Sequence, residues 1–378
     1  MNKSILIIAG ETSGDNVGGL LCAELRRLRP DVELFGLGGD RMKNAGVDII
    51  YHANQLSFLG FWEVIKNLPF IRQVGRSILT QIDLRKPSLA ILIDYPGFNL
   101  RLAEKLKERK IPIIYYVSPQ VWAWGKGRIQ KIKRLVDKMI VVFDFERQMY
   151  REEGMDAEWY GHPLLEIVRS DCPRDDFLKY LGLSPGDKYI GLYPGSRKQE
   201  ISRILPEMKD AIKILNKHEI SYKGIVGCAP GIDEKLYKDI GGGNLIYVQG
   251  KTYDLMAHSE LNLIASGTAT LECAILERPL FVLYKTSAIT YQIARRLIKI
   301  PHIGLVNVVA GIKIVPEYIQ GRCRAAQIAR DIEKYFSNEN SRTTMTKNLS
   351  AVRARMGKPG ASAKVAQSVI AMVERKGN

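Results

Sequence analysis

Short runs of apolar and β-branched residues alternate with longer amphipathic stretches along the whole chain, and this alternation limits the possible folds more than any other feature. Ten runs read as strands, at 4–9, 32–36, 88–94, 111–117, 139–143, 188–193, 222–227, 244–248, 261–265 and 280–284. Helical patterns lie between them, for example at 15–28, 98–109, 199–217, 269–277 and 325–336. Apolar strands that alternate with helices form βαβ units, whose parallel sheets are buried on both faces. The sequence therefore predicts an α/β fold.

The alternation pauses once, which predicts two domains. It stops near Gly161, the polar segment 169–176 reads as a linker, and a new βαβ series starts at Lys188. A chain of 378 residues agrees with this division, because a domain usually has about 100–200 residues. We expect two Rossmann-like, doubly wound domains at 1–168 and 177–344, with the ligand in a central cleft at the carboxyl ends of the strands.

The sequence argues against a secreted, membrane-spanning or metal-stabilised protein. The longest apolar runs, such as 111–117, are much shorter than the roughly 18 residues of a membrane-spanning helix. The chain starts directly in the strand-like run 4–9, without the layout of a signal peptide. Its five cysteines are far apart and form no Cys-x-x-Cys pair, and its five histidines are equally scattered. This pattern is typical of a cytoplasmic protein without a structural metal.

The chain is basic, with 56 Lys and Arg against 40 Asp and Glu and a net charge of +16. The excess lies in the stretches 101–138, 285–300 and 322–378, and the remainder is slightly acidic. A localised basic field favours an anionic partner such as nucleic acid, anionic lipid or a phosphorylated substrate. The alternative is that these bases only solvate helix faces.

The loop after the first strand has the sequence GETSGD at 10–15. Its glycines allow a ligand to approach the backbone closely. The loop is neither a Walker A motif nor a G-x-G-x-x-G fingerprint, so it does not indicate dinucleotide binding. Glu11 and Asp15 would repel phosphate and suit sugar hydroxyls better. The alternative is an ordinary tight turn before a helix.

Asp94 stands at the end of the buried strand 88–94, in the string IDYPGFN. A carboxylate there faces the cleft, where burial raises its pKa towards that of a useful general base. The alternative is a capping aspartate before Pro96. The next strand leads into YVSPQVWAW, whose Trp122 and Trp124 suit a sugar or an amphiphile, or simply close a domain edge.

Two loops of the second half carry the features of a diphosphate site. The string PGSR at 194–197 places small residues at a strand end and Arg197 at a helix start, so amides, helix dipole and guanidinium converge on one anion. The string ASGTATLE at 265–272 is a second strand–turn–helix with hydroxyl donors. Its Glu272 is one turn into the helix and suits ribose hydroxyls, although a capping box with Thr268 is the alternative.

Two apolar stretches are candidates for membrane contact. Residues 56–74 contain several large apolar side chains and few charges, and 289–300 combines an apolar stripe with Arg295, Arg296 and Lys299. A basic rim beside an apolar stripe is typical of an interfacial helix. The alternative, that both stripes belong to the core, stays open.

In this order the motifs closely resemble those of the lipid-A-disaccharide synthases, which are GT-B glycosyltransferases. The resemblance covers nearly the whole chain and is carried by AGETSGD, IDYPGFN, YVSPQVWAW, PGSR, ASGTATLE and NVVAG. It implies transfer of 2,3-diacylglucosamine from its UDP derivative to 2,3-diacylglucosamine 1-phosphate, which forms the β-1,6 lipid A disaccharide and UDP. Attack by a deprotonated hydroxyl on the face opposite UDP would invert the anomeric centre.

The resemblance also assigns roles to residues. Asp94 is implied as the catalytic base for the acceptor 6-hydroxyl, with Glu272 and Asn307 on the nucleotide. The implied diphosphate contacts are Gly195, Ser196, Arg197, Ser266, Gly267 and Thr268, and the implied acceptor-side residues are Gly10, Glu11, Thr12, Ser13 and Asp15. The family often has aspartate at the position of Gly97, so Asp94 is expected to act alone here.

Further expectations concern cofactors, partners and location. The resemblance implies neither a metal nor another cofactor, and a peripheral position on the inner face of the cell membrane. It implies that the C-terminal helices at 345–378 pack back across the N-terminal domain, and it leaves open a homodimer that swaps them. Rival interpretations are another GT-B enzyme, such as a UDP-GlcNAc 2-epimerase or a peptidoglycan-type transferase, and a basic nucleic-acid-binding protein. Because the basic stretches offer few stacking aromatics, we expect no nucleic-acid partner.

Overall fold

The structure, a computed structural model, describes residues 4–56, 67–123, 127–217, 221–297 and 300–375. These residues form two compact units. The first unit comprises residues up to Glu166 together with those from Met356 onward, and the second comprises most of Ile167–Arg355. Each unit is built around its own parallel sheet.

The first unit contains a seven-stranded parallel sheet in the order β3-β2-β1-β4-β5-β6-β7. Its strands are β1 Ser4–Ala9, β2 Glu33–Gly38, β3 Asp48–His52, β4 Leu89–Ile93, β5 Ile113–Tyr116, β6 Lys138–Val141 and β7 Ala157–Trp159. Its helices are α1 Thr12–Leu28, α2 Asp40–Asn44, α3 Leu68–Arg85, α4 Pro96–Glu108, α5 Arg128–Leu135, α6 Asp144–Glu152 and α7 Leu164–Ile167, with a 3₁₀ turn at Ala53–Leu56. All residues of β1, β4 and β5 are buried, as their apolar runs predict.

The second unit contains a six-stranded parallel sheet in the order β10-β9-β8-β11-β12-β13. Its strands are β8 Lys188–Tyr193, β9 Tyr222–Cys228, β10 Ile246–Gln249, β11 Leu261–Ala265, β12 Leu280–Tyr284 and β13 Glu317–Ile319. Its helices are α8 Arg174–Leu181, α9 Lys198–Leu215, α10 Glu234–Gly241, α11 Thr252–His258, α12 Ala269–Ile275, α13 Ala288–Leu297, α14 Leu305–Ala310, α15 Ala325–Ser337 and α16 Glu339–Arg355, with a 3₁₀ turn at Gln320–Arg322. The last helix of the chain, α17 Ala361–Arg375, belongs to the first unit.

The predicted α/β class is confirmed, and all ten predicted strands are present within a few residues of their predicted ends. Three further strands, β3, β7 and β13, each lie at the edge of a sheet. They are short and mostly half-buried, so they lack the continuous apolar run by which the others are recognised.

The two C-terminal helices belong to different units. Helix α17 packs against α1, and Lys138 and Glu158 bind the hydroxyl of Ser368 at 2.8 Å and 2.9 Å. Helix α16 instead packs against α12, α14 and α15 of the second unit, where Arg353 pairs with Glu277 at 2.9 Å. Of the segment 345–378, which was expected to pack on the first domain, α17 therefore does so, and the residues to Arg355 do not.

Part of the predicted membrane-facing residues lies outside the described residues. These are Phe58, Leu59, Phe61, Trp62, Ile298 and Lys299, and Trp124, predicted to contact a sugar or an amphiphile, also lies outside them. Phe70 and Ile71 are described, and they pack half-buried against the core of the first unit, where Phe70 contacts Tyr51 edge to face. In the described ranges, no helix has the combination of length and apolar character required to cross a bilayer.

Candidate active site

Both sheets have a topological switch point, and the predicted site residues follow the strands that form it. In the first sheet the chain runs outward from β1 to β3 and then returns to β4, which lies beside β1. In the second sheet β8 and β11 have the same relation. The loops after two such strands open a crevice at the carboxyl edge of a sheet, where α/β proteins bind their ligands.

Asp94 follows β4 directly and has a strained backbone. Both Asp94 and Tyr95 lie in the left-handed region, at φ 46° and 45°, which residues other than glycine rarely occupy. The carbonyl of Asp94 accepts hydrogen bonds from the hydroxyl of Tyr115 at 2.5 Å and from Nδ2 of Asn99 at 2.7 Å. These two bonds hold the strained turn, and Pro96 then starts α4.

The carboxyl of Asp94 has the proton affinity of a base that works near neutral pH. Burial raises its pKa to about 7, the nearby charge of Glu11 adds to the increase, and a hydrogen bond from the Tyr95 amide opposes it. A general base is most effective when its pKa lies near the working pH. Asp94 can therefore accept a proton from a hydroxyl and release it again.

The loop after β1 lies against the Asp94 turn. A side chain at Gly10 would overlap the ring of Tyr95, so the absence of a Cβ there lets the two loops touch. Glu11 is the N-cap of α1 and is half-buried, and Thr12 and Ser13 follow in its first turn. The structure thus brings Gly10 and Glu11 to the Asp94 turn.

Asp15, predicted on the acceptor side, holds a neighbouring loop of the same sheet. Its buried carboxylate accepts hydrogen bonds from the backbone amides of Gly39, Arg41 and Met42 at 2.6, 3.0 and 3.1 Å. It thereby fixes the start of α2 after β2. Within the described structure this side chain stabilises the fold, and its expected contact with the acceptor stays a prediction.

A buried carboxyl lies beneath the loops after β5 and β6. Oε1 of Glu146 accepts the indole N–H of Trp122 at 3.1 Å, and Oε2 accepts the amide of Phe143 at 3.2 Å. Burial raises the pKa of Glu146 to about 8. Trp122 is therefore anchored to α6, while Trp124 lies outside the described residues.

In the second unit, the loop after β8 contains Gly195, Ser196 and Arg197. Gly195 has a φ of +111°, and a Cβ there would overlap the carboxylate of Glu200. Arg197 is the N-cap of α9, and its guanidinium lies 3.2 Å from Oε1 of Glu200. A glycine in this conformation before a long helix is typical of an anion-binding turn.

The loop after β11 contains the second predicted set, Ser266, Gly267 and Thr268. The Ser266 hydroxyl donates to the carbonyl of Ile303 at 2.8 Å, and the carbonyl of Gly267 accepts the Thr270 hydroxyl at 2.8 Å. Thr268 is the N-cap of α12 and makes no side-chain capping bond. Because β8 and β11 are neighbours, this loop and the Arg197 loop leave the same edge of the sheet.

Glu272 is in the first turn of α12 and half-buried. Burial raises its pKa to about 7, and a hydrogen bond with Tyr253 opposes the increase. Its carboxyl can accept hydrogen bonds from hydroxyl groups of a nucleotide when it is ionised. The capping-box alternative is not seen, because Thr268 makes no side-chain capping bond.

Asn307, predicted to contact the nucleotide, is fully buried and already bonded at every polar position. Nδ2 donates to the carbonyl of Val315 at 3.0 Å and to Glu317 at 2.8 Å. Oδ1 accepts the amides of Ile314 and Val315 at 2.8 and 3.0 Å. An amide side chain has two donor hydrogens and one acceptor oxygen. The side chain of Asn307 therefore shapes this loop, and its expected contact with the nucleotide stays a prediction.

Several residues around the site carry no motif that sequence reasoning detects. Tyr115, Glu146 and Tyr237 come from neighbouring strands or helices and reach the loops only through the fold. Glu200 was detectable in principle, because it stands three residues after Arg197 in the first turn of α9. In the part of the chain described, no group of three or more His, Cys, Asp or Glu residues is arranged to hold a metal.

Sequence comparison gives one consistent result. A family model described as lipid-A-disaccharide synthetase matches residues 5–370. The chain is 40% identical to the lipid-A-disaccharide synthase of Syntrophus aciditrophicus (strain SB), over 99% of each chain. It is also 40% identical to the lipid-A-disaccharide synthase of Myxococcus xanthus (strain DK1622), over 98% of this chain and 97% of the relative.

Comparison with solved structures shows the fold. The UDP-GlcNAc 2-epimerase from Neisseria meningitidis, solved with UDP-GlcNAc, aligns with a TM-score of 0.64 at 13% identity, over 97% of this chain and 99% of that one. CalG4, the calicheamicin glycosyltransferase, aligns with a TM-score of 0.60 at 14% identity, over 99% of both chains. The predicted GT-B fold is thereby confirmed.

Proposed function

The chain belongs to the lipid-A-disaccharide synthase family of GT-B glycosyltransferases, and on this premise we propose its substrates and the roles of its residues. The donor is UDP-2,3-diacylglucosamine and the acceptor is 2,3-diacylglucosamine 1-phosphate. The products are the β-1,6 lipid A disaccharide 1-phosphate and UDP. The observation that carries this proposal is the position of a raised-pKa carboxyl, Asp94, and of an arginine-bearing glycine loop at the switch points of the two sheets.

In the proposed step, Asp94 takes the proton of the acceptor 6-hydroxyl while the oxygen attacks the anomeric carbon of the donor. The bond between that carbon and the β-phosphate oxygen breaks, and its electron pair leaves with UDP. Attack opposite the leaving group converts an α-linked donor into a β product. The left-handed backbone of Asp94, held by Tyr115 and Asn99, supports this role because it fixes the direction of the carboxyl.

The departing diphosphate gains negative charge, and the second unit offers donors for it. Arg197, the amide and hydroxyl of Ser196 and the Ser266–Thr268 turn follow neighbouring strands. Preorganised donors of this kind stabilise a leaving group without reorganisation during the reaction. Gly195 and Gly267 leave room for the phosphates, and Glu272 binds nucleotide hydroxyls. On the acceptor side we place Gly10, Glu11, Thr12 and Ser13.

We also propose that the enzyme works as a peripheral protein on the inner face of the cell membrane. Its lipid substrates are anionic, and exposed bases such as Arg295 and Arg296 give the chain a positive field. Such a field concentrates a phosphorylated lipid near the site. The homodimer with swapped C-terminal helices stays a prediction.

A UDP-sugar 2-epimerase is the rival with the same fold. Its likeness in the structural comparison is at 13% identity, which supports the fold alone. The decisive experiment is mass spectrometry of the products after incubation with UDP-2,3-diacylglucosamine and the 1-phosphate acceptor. We expect a disaccharide 1-phosphate and stoichiometric UDP. An epimerised donor, or no change in a mixture that contains both substrates, would overturn the proposal.

The diphosphate assignment has its own test. Arg197→Ala should weaken UDP binding about tenfold to a hundredfold in calorimetry, because a charge-assisted hydrogen bond contributes roughly 1.5–3 kcal/mol. Arg203→Ala is the matched control, since Arg203 lies further along the same helix and bonds Gln199 at 3.3 Å. Equal UDP affinities for the two variants would remove Arg197 from the site.

A further inference from the structure

Tyr237 connects two loops at the carboxyl edge of the second sheet. It lies in α10 with its side chain fully buried. Its hydroxyl donates to the carbonyl of Gly195, after β8, at 3.1 Å, and accepts the amide of Ala229, after β9, at 3.1 Å. One hydroxyl therefore bridges the Arg197 loop and the loop of the neighbouring strand.

The bond from Tyr237 fixes the direction of the peptide between Gly195 and Ser196. In a trans peptide the carbonyl and the following N–H point in opposite directions. The described peptide bonds are all trans. Since the Gly195 carbonyl points to the buried hydroxyl, the Ser196 N–H points away from it. Ser196 is exposed, and among the described residues its N–H has no hydrogen-bond acceptor.

Gly195 cannot hold this peptide by itself. At a φ of +111° it uses a conformation that glycine enters and leaves easily, because it has no Cβ. A contact from outside the loop is needed to select one orientation. The Tyr237 hydroxyl provides it at every physiological pH, since burial raises the pKa of this phenol to about 12.

We propose that Tyr237 is a positioning residue for the donor diphosphate, which it serves by aiming the Ser196 N–H at the phosphate oxygens. The proposal rests on the proposed function, because it takes the loop after β8 as the diphosphate site. Tyr237 does not touch the nucleotide in this arrangement. Its effect is confined to the phosphates. Loss of the Tyr237 hydroxyl should therefore not change the affinity of a ligand that has no phosphate.

The test compares UDP with uridine on Tyr237→Phe, which removes the hydroxyl and keeps the ring. We expect UDP affinity to fall about tenfold in calorimetry, as for one lost hydrogen bond to a charged group, while uridine affinity measured by competition stays within twofold. Tyr189→Phe is the matched control. Tyr189 is fully buried in β8, its hydroxyl has no hydrogen-bond partner among the described residues, and the substitution should leave both affinities unchanged.

The outcomes separate this inference from the proposed function. Equal losses of UDP and uridine affinity would show a general structural role, and an unchanged UDP affinity would show no role; either result overturns the inference. If Arg197→Ala also leaves UDP affinity unchanged, the diphosphate site itself is misplaced. Thermal unfolding of each variant, measured alongside, identifies any loss of folded protein.

Discussion

Asp94 has two properties that do not stabilise the folded protein. Its backbone lies in a strained left-handed conformation, and its carboxyl has a pKa of about 7, well above the ordinary value of 3.8. Between these pH values the folded chain holds a proton that the unfolded chain has released. Stability therefore falls as pH rises through this range, and the full cost is present above pH 7. A carboxyl that lowers the stability of the fold in this way is typical of a functional site.

We predict that Asp94→Asn stabilises the protein at pH 8 but not at pH 4. The amide has no charge to bury, so the free energy of unfolding at pH 8 should increase by about 1–2 kcal/mol, a value reduced from the full shift because Asp94 is half-buried. At pH 4 wild type and variant should agree. Urea unfolding at both pH values gives the measurement.

The same variant should lose at least about 99% of turnover and keep its affinity for UDP, because a general base contributes about 10²–10⁴ in rate. The exposed Asp156→Asn is the matched control, for which neither stability nor activity should change. For the wild type, kcat/KM should rise through pH 7 as Asp94 loses its proton. Substantial activity of Asp94→Asn would eliminate it as the base.

At the scale of single residues, sequence identifies positions better than side-chain directions. Asp94 directly follows a buried strand and Arg197 stands in the short loop after another, so their place at a sheet edge can be derived from the pattern. Asp15 is one helical turn further on, and its carboxylate turns to the amides of the loop after β2. Asn307 is in a motif, yet its side chain bonds the backbone seven and eight residues later. Contacts of this kind depend on residues that lie outside the local sequence motif.

At the scale of elements, burial decides what sequence can predict. Strands with two covered faces, such as β1 and β4, have continuous apolar runs and are predicted correctly. The edge strands β3 and β7 have one open side and half-buried residues, so their pattern resembles a loop. Helices α16 and α17 follow one another along the chain, and only their packing partners place them in different units.

Helix α4 allows a test of the departure at Gly97. Gly97 is the second residue of the helix and is exposed. A Cβ added there would have no described atom within 4 Å. Gly97→Asp should raise the free energy of unfolding by about 0.5–1.5 kcal/mol, because it replaces a helical glycine and places a negative charge near the helix N-terminus. Chemical denaturation of both proteins measures this gain.

If Asp94 acts alone as base, kcat of Gly97→Asp at a pH well above 7 should stay within about twofold of wild type. Gly97→Asn is the control, because it has the same shape without the charge. An increase of about tenfold in kcat for the aspartate variant and not for the asparagine variant would show that the carboxylate common in the family takes part in the reaction. Asp94 would then share its role.

At the scale of the whole molecule, ion pairs formed by the fold offset part of the positive charge of the three basic stretches. In 101–138 bases such as Lys107 and Lys131 form ion pairs, and the acids that reach Arg109 and Lys138 come from outside the stretch, from Asp83 and Glu158. Lys285 is half-buried in a pair with Glu207, which also accepts the amide of Ala325. The field that remains comes from exposed bases without such partners in the described chain, including Arg101 and Lys110.

Substitution of these residues tests whether a local positive field or the net charge alone governs membrane binding. We predict that the protein binds vesicles that contain anionic phospholipid, and that binding weakens as salt rises, because exposed charges are screened over about 8–10 Å at ordinary ionic strength. Arg101→Glu with Lys110→Glu should reduce the partition coefficient at least tenfold, since each base near an anionic surface contributes about 1 kcal/mol. Co-sedimentation with vesicles is the measurement.

The control changes the same total charge at another place. Lys223→Glu with Lys235→Glu also lowers the net charge from its value of +16, but both lysines are exposed on the second unit, outside the three basic stretches. If position matters, this variant keeps most of its vesicle binding. If both double variants bind equally weakly, the overall charge governs the interaction, and the first unit has no special docking face. Neither change touches Asp94 or Arg197, so turnover with detergent-dispersed substrates should be the same in both, and any loss seen only on vesicles then reports membrane docking.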